Sequence, residues 1–210
     1  MGSPMTSGEI LFLLGAAVFA VTGVLAAARQ NMDVMSFVII GVVTAIGGGT
    51  LRDVMLDQPL FWLAEPSYLS AATGAALATF FFERRFRATL RAFLYLDAIA
   101  TALYTVLAIE KTLRLGFNSG VAVVMGVITG IGGGVIRDLL TGQPTILMRR
   151  ELYMTPILFG GLLYVVLRPI DWIEPAYLLA STMFVIAAVR LCAIRFGWCF
   201  PDWLTYRPLH

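Results

Sequence analysis

Seven blocks of mainly apolar residues, joined by short polar connections, constrain this chain more than any other feature. They lie at roughly 9–28, 36–56, 66–82, 92–110, 119–140, 152–168 and 175–196. A helix that crosses a bilayer needs about 20 mostly apolar residues, and most of the blocks are close to that length. They are continuous rather than striped, which leaves almost no polar face for a soluble helix. The chain is 59% hydrophobic and 13% charged, with a mean hydropathy of +0.85, well outside soluble composition. The expected fold is all-α and integral to the membrane, with seven transmembrane helices in one domain over 9–196 and a cytoplasmic tail at 197–210. Met1 to Pro4 reads as an expression scar. The block beginning at Ile10 follows no basic residue and has no clear cleavage site, so it reads as a mature helix.

What is missing narrows the chemistry. The only histidine is the final residue, His210, and the two cysteines, Cys192 and Cys199, have no metal-type companions. These cysteines read as ordinary apolar residues in and just beyond the last helix. No nucleophile–base pairing or metal cluster supports an intramembrane enzyme. No cofactor and no nucleic-acid partner are called for.

The chain repeats itself at a spacing of 85 residues. Gly41-Val-Val-Thr44-Ala-Ile-Gly47-Gly48-Gly49-Thr-Leu-Arg52-Asp53 matches Gly126-Val-Ile-Thr129-Gly-Ile-Gly132-Gly133-Gly134-Val-Ile-Arg137-Asp138, and the match resumes at Gln58-Pro59 and Gln143-Pro144. Segments 41–59 and 126–144 share 11 of 19 positions, which identifies a duplication. Repeat 1 spans 9–82, repeat 2 spans 92–168, and the helix at 175–196 stands outside. Each unit holds three helices, so the second must enter the membrane from the opposite side. Such inverted repeats place a substrate or ion path at their interface, near the midplane, beside discontinuous helices.

Three consecutive glycines cost about 2–3 kcal/mol of helix propensity, so a kink or break is expected at Gly47–Gly49 and at Gly132–Gly134. Freed backbone groups in lipid need protein or water partners; the triplets therefore mark either close helix packing or a water-lined cavity. Arg52, Asp53, Arg137 and Asp138 follow inside the apolar blocks, where ionisable groups face a bundle interior or an aqueous path. Each Arg-Asp pair either lines such a path or braces the helix. Thr44 and Thr129, one turn before the triplets, either offer hydroxyls to the path or bond back to their own helices. Asp97 shares a helix face with Thr101 and Tyr104; it lines the path, partners an arginine, or sits wet near the cytoplasmic surface.

Basic residues set the orientation. One side carries Arg29, Arg84, Arg85, Arg87, Arg91, Arg149, Arg150, Arg190, Arg195 and Arg207; the other carries Lys111, Arg114 and Arg168. By the positive-inside rule the N-terminus is outside and the C-terminus cytoplasmic. The cluster at 83–91 reads as a topology anchor and offers a contact to membrane lipid phosphate.

Two Gly-Gly-Gly-x-x-Arg-Asp motifs, each in the second helix of a three-helix unit, plus a seventh helix, resemble the prokaryotic trimeric intracellular cation (TRIC) channels. That group overlaps a bacterial family of glycine-transporter-like membrane proteins. The resemblance covers the chain from about Ile10 to Arg195. It implies a homotrimer in a prokaryotic plasma membrane, with one pore per protomer that favours monovalent cations such as potassium. It places Gly47, Gly48, Gly49, Arg52 and Asp53, with Gly132, Gly133, Gly134, Arg137 and Asp138, at that pore. The lysine-containing motif and lysine-rich tail of animal members are absent, so their phosphoinositide regulation is not implied. The residues themselves leave two mechanisms open, a passive channel and a carrier for a small solute such as an amino acid, since both need a polar path and a hinge.

Overall fold

The computed structural model describes residues 7–28, 30, 32–86, 90–148, 152–170 and 172–199, with the side chains of 7 and 83–86 excluded. Arg29, Arg87, Arg149, Arg150, Arg207, His210, Met1 to Pro4 and most of the tail lie outside the described residues. So do the side chains of Arg84 and Arg85.

Eight α-helices account for nearly all of the described chain: α1 (Ser7–Ala27), α2 (Val34–Met55), α3 (Phe61–Ala64), α4 (Ser67–Phe86), α5 (Leu90–Arg114), α6 (Ser119–Leu140), α7 (Met154–Leu167) and α8 (Pro175–Phe196). Seven of them coincide with the apolar blocks. Five, namely α1, α2, α5, α6 and α8, are long and apolar enough to cross a membrane. The 14 residues of α7 rise only about 21 Å, less than a full hydrocarbon core.

Local chemistry sets the helix ends. Asp33 caps α2 by accepting from Ser36 N at 2.8 Å, and that bond holds its carboxyl below the ordinary carboxylate range. Asn118 caps α6 in the same way through Val121 N at 2.9 Å. Both helices close on a left-handed residue, Asp57 (φ 50°) after α2 and Gly142 (φ 63°) after α6. These two positions are again 85 residues apart.

Of the kink or break expected at the triplets, the structure overturns the break. Both α2 and α6 run as uninterrupted helix through their glycines. The physical reason is the surrounding solvent: no water competes for the backbone in a bilayer, so the propensity cost measured in water does not open the helix. The glycines bring two helices together instead. A Cβ on Gly48 would strike the carbonyl oxygen of Thr129, and one on Gly133 would strike that of Thr44. Residue numbers rise along one helix as they fall along the other, so α2 and α6 cross antiparallel, backbone against backbone. The contacts exchange under the 85-residue shift.

Two apolar clusters flank this crossing. One gathers α1, α2, α4 and α5 around Phe19, Val24, Ile40 and Tyr104. The other gathers α5 to α8 around Val106, Ile109, Ile157 and Ile186. Helix α5 serves both, and α8 packs on α5 and α7.

The crossing predicts that Gly48→Ala and Gly133→Ala each lower thermal stability by about 1–3 kcal/mol, because the obstructing atom is backbone. Gly74→Ala on α4, where nothing lies within 4 Å of an added Cβ, should be neutral or gain up to about 1 kcal/mol. Melting curves of the three purified variants check this.

Candidate functional site

Each Arg-Asp pair lies one turn beyond its glycines, so the two pairs flank the crossing, each about 6 Å along its own helix. Although adjacent in sequence, the members of a pair bond to each other. Arg52 Nε donates to Asp53 Oδ1 at 2.8 Å; Nη2 is 2.7 Å from the same oxygen, close enough for an ion pair but poorly aimed for a hydrogen bond. Asp53 Oδ2 accepts from Phe61 N at 3.0 Å, which pins α3 across the end of α2. In the second unit Arg137 Nε donates to Asp138 Oδ1 at 2.8 Å, and Asp138 Oδ2 accepts from Ile146 N at 2.9 Å. Ile146 begins a short 3-10 turn, Ile146–Met148. All four side chains are essentially inaccessible.

Beyond this shared core the two ends differ. At the first, Lys111 Nζ on α5 donates to Asp53 Oδ1 at 3.0 Å, giving two cations on one carboxylate. The Arg52 guanidinium lies 5.8 Å and 5.9 Å from the ring centres of Phe12 and Phe61. At the second, Arg137 Nη1 donates to Asp97 Oδ1 at 2.8 Å and to Thr22 Oγ1 at 3.1 Å. Arg190 on α8 donates to Asp97 Oδ2 at 3.3 Å and stacks 3.9 Å over the Tyr153 ring. That end holds two cations and two carboxylates, and Phe93 covers it 4.6 Å from the Arg137 guanidinium.

Asp97 is fully buried and partners the arginines; it is not a wet surface group. Thr101 is buried one turn along, and Tyr104 donates its hydroxyl to Ala45 O at 3.1 Å. Thr44 and Thr129 each donate back to their own helix, to Ile40 O and Met125 O, both at 2.6 Å. Arg190, one of the charges expected to set orientation from the surface, is instead buried at 2% exposure.

Three participants escaped the sequence reading. Lys111 and Arg190 complete the two clusters, and Glu110 forms a third. It accepts from Arg114 Nε at 2.8 Å, Tyr164 Oη at 2.7 Å and Arg168 Nε at 3.1 Å. The signal that singled out Asp97, a charge inside an apolar block, applies equally to Arg190. A cavity of about 310 Å³ opens beside the first cluster, lined by Gly8, Phe12, Arg52, Leu107 and Lys111 among others.

Together these features define a class: a helical membrane protein made of two related units, joined at a glycine crossing, with a buried ion cluster on either side. A family model described as "Glycine transporter" matches twice, over residues 9–84 and 94–169, two stretches again 85 residues apart. The chain belongs to this family. It is 36% identical to the UPF0126 inner membrane protein YadS of Escherichia coli over 187 residues, 88% of this chain and 90% of that protein. Its structure matches a TRIC trimeric intracellular cation channel orthologue from Rhodobacter sphaeroides with a TM-score of 0.88 and 36% identity, over 92% of this chain and 100% of that one. A second TRIC cation channel matches with a TM-score of 0.83 at 27% identity, over 97% and 100% of the respective chains. The resemblance to prokaryotic TRIC channels read from the doubled motif therefore holds. The protein is a multi-pass membrane protein.

Removing one member of the balanced cluster should be costly, because it strands buried charge. Asp97→Asn is predicted to lower unfolding free energy by about 3 kcal/mol or more. Asp97→Asn combined with Arg190→Met should cost less than the sum of the two single changes. Thermal or denaturant unfolding of the three variants measures the coupling.

Proposed function

We propose that this chain forms a passive channel for monovalent cations, potassium foremost, as a homotrimer with a separate path through each protomer. The observation that carries this reading is the match along nearly the whole chain to a TRIC channel orthologue at 36% identity. The path runs through a 3+3 inverted repeat of seven membrane spans, and the antiparallel crossing of α2 and α6 supports that inversion. Arg52 and Asp53 stand toward one end; Arg137, Asp138 and Asp97 stand toward the other. Thr44 and Thr129 lie between them. The N-terminus faces outward and the C-terminus the cytoplasm.

Gly47, Gly48 and Gly49, with Gly132, Gly133 and Gly134, act here as a hinge surface. An ion cannot pass between two backbones in contact, so conduction requires α2 and α6 to shift. Faces without side chains interlock least and resist such sliding least. A carrier would need the same parts but would move one solute per cycle.

Purified protein in planar bilayers should give unitary current steps. Under opposed potassium and chloride gradients, their reversal potential should move toward the potassium equilibrium value. Saturable, solute-dependent uptake with no current steps would overturn the channel reading in favour of a carrier.

A further inference from the structure

We propose that the cavity beside Arg52 is a binding site for a small carboxylate anion. The template is the protein's own second unit. There, Arg137 Nη1 donates to the Asp97 carboxylate and the Thr22 hydroxyl. Shifting by 85 residues and exchanging the units, the positions that should serve Arg52 are Phe12 and Leu107. Neither can accept a hydrogen bond, and both line the cavity. Arg52 is wholly buried and its Nη1 has no hydrogen-bond partner among the described residues.

Space comes from the lack of a side chain at one equivalent position. Phe93, which covers the Arg137 guanidinium, corresponds to Gly8, which lines the cavity and has no side chain. The first end thus has Phe12 in place of a carboxylate, Leu107 in place of a hydroxyl and Gly8 in place of a ring, beside a cavity of about 310 Å³. Arg52 and Lys111 share the single carboxylate of Asp53, one positive charge more than the counterpart cluster holds, and Arg114, Glu110 and Glu9 complete the charged lining of the cavity. Glu110 also faces the cavity, but its oxygens are taken by Arg114, Tyr164 and Arg168; neither it nor Glu9 satisfies Nη1.

A carboxylate from solution supplies the charge-assisted bond that Asp97 supplies at the other end. Because Nη1 is covered, the anion reaches it when the partly exposed Phe12 ring turns aside. The inference stands apart from conduction, since its readout is binding.

The test uses the full chain in detergent, with ¹³C-acetate titrated at constant ionic strength in sodium chloride and binding read by saturation-transfer NMR. The wild type should bind acetate saturably. Phe12→Asp places an internal carboxylate where the second unit has Asp97, and should weaken acetate binding at least about tenfold. Gly8→Phe fills the cavity as Phe93 does and should produce the same loss by volume alone. No saturable acetate signal in the wild type would overturn the proposal. So would undiminished binding in folded Phe12→Asp or Gly8→Phe, or displacement of acetate by chloride mole for mole.

Discussion

The contact of the α2 backbone with the α6 backbone is the constraint on which the rest depends. Two carbonyl oxygens, of Thr44 and Thr129, occupy the space where Gly133 and Gly48 would otherwise carry side chains. No other residue type permits that approach. The separation it sets fixes how close the two halves of the molecule come. It also brings α1 and α5 alongside, because α1 packs mainly on α2 and α5 mainly on α6.

The Arg-Asp pairs do structural work and occupy strategic positions at once. Each aspartate gives one oxygen to the preceding arginine and the other to a backbone N–H eight residues on. The carboxylate thereby satisfies a buried amide that no helix bond reaches, and turns the chain sharply after the helix. Such a carboxylate is fully committed, while the arginine beside it has donors left over. What each arginine does with them differs between the halves: one meets Asp97 and Thr22, the other meets aromatic rings and a cavity. The low dielectric of the interior makes that difference consequential.

Much of this was legible in the residues, and the boundary of legibility has physical causes. Long helices announced themselves because lipid demands continuous apolar runs, and the duplication announced itself in two glycine triplets, at whose centres, Gly48 and Gly133, a Cβ would meet the partner helix's backbone. The four residues of α3 and the turn at Ile146 were invisible, since elements this short bury too little to leave a pattern. Their true signal is an aspartate eight residues upstream. Helix continuity through the triplets was misread because propensities measured in water were carried into a solvent that does not compete for the backbone. The partnerships of Lys111 with Asp53 and of Arg190 with Asp97 join residues 58 and 93 positions apart. Charge type alone could not select among the arginines available. In the other direction, the pairing of Arg52 with its immediate neighbour was as local as an interaction can be.

Arg190 carries a consequence beyond its ion pair. Two copies of one unit, laid antiparallel, are interchangeable: turned over in the membrane, such a pair presents the same face. Helix α8 has no counterpart in the duplication, and through Arg190 it binds only one of the two clusters. A single guanidinium from outside the repeat thus adds to what Asp97 and Thr22 begin, marking one cluster off from the other.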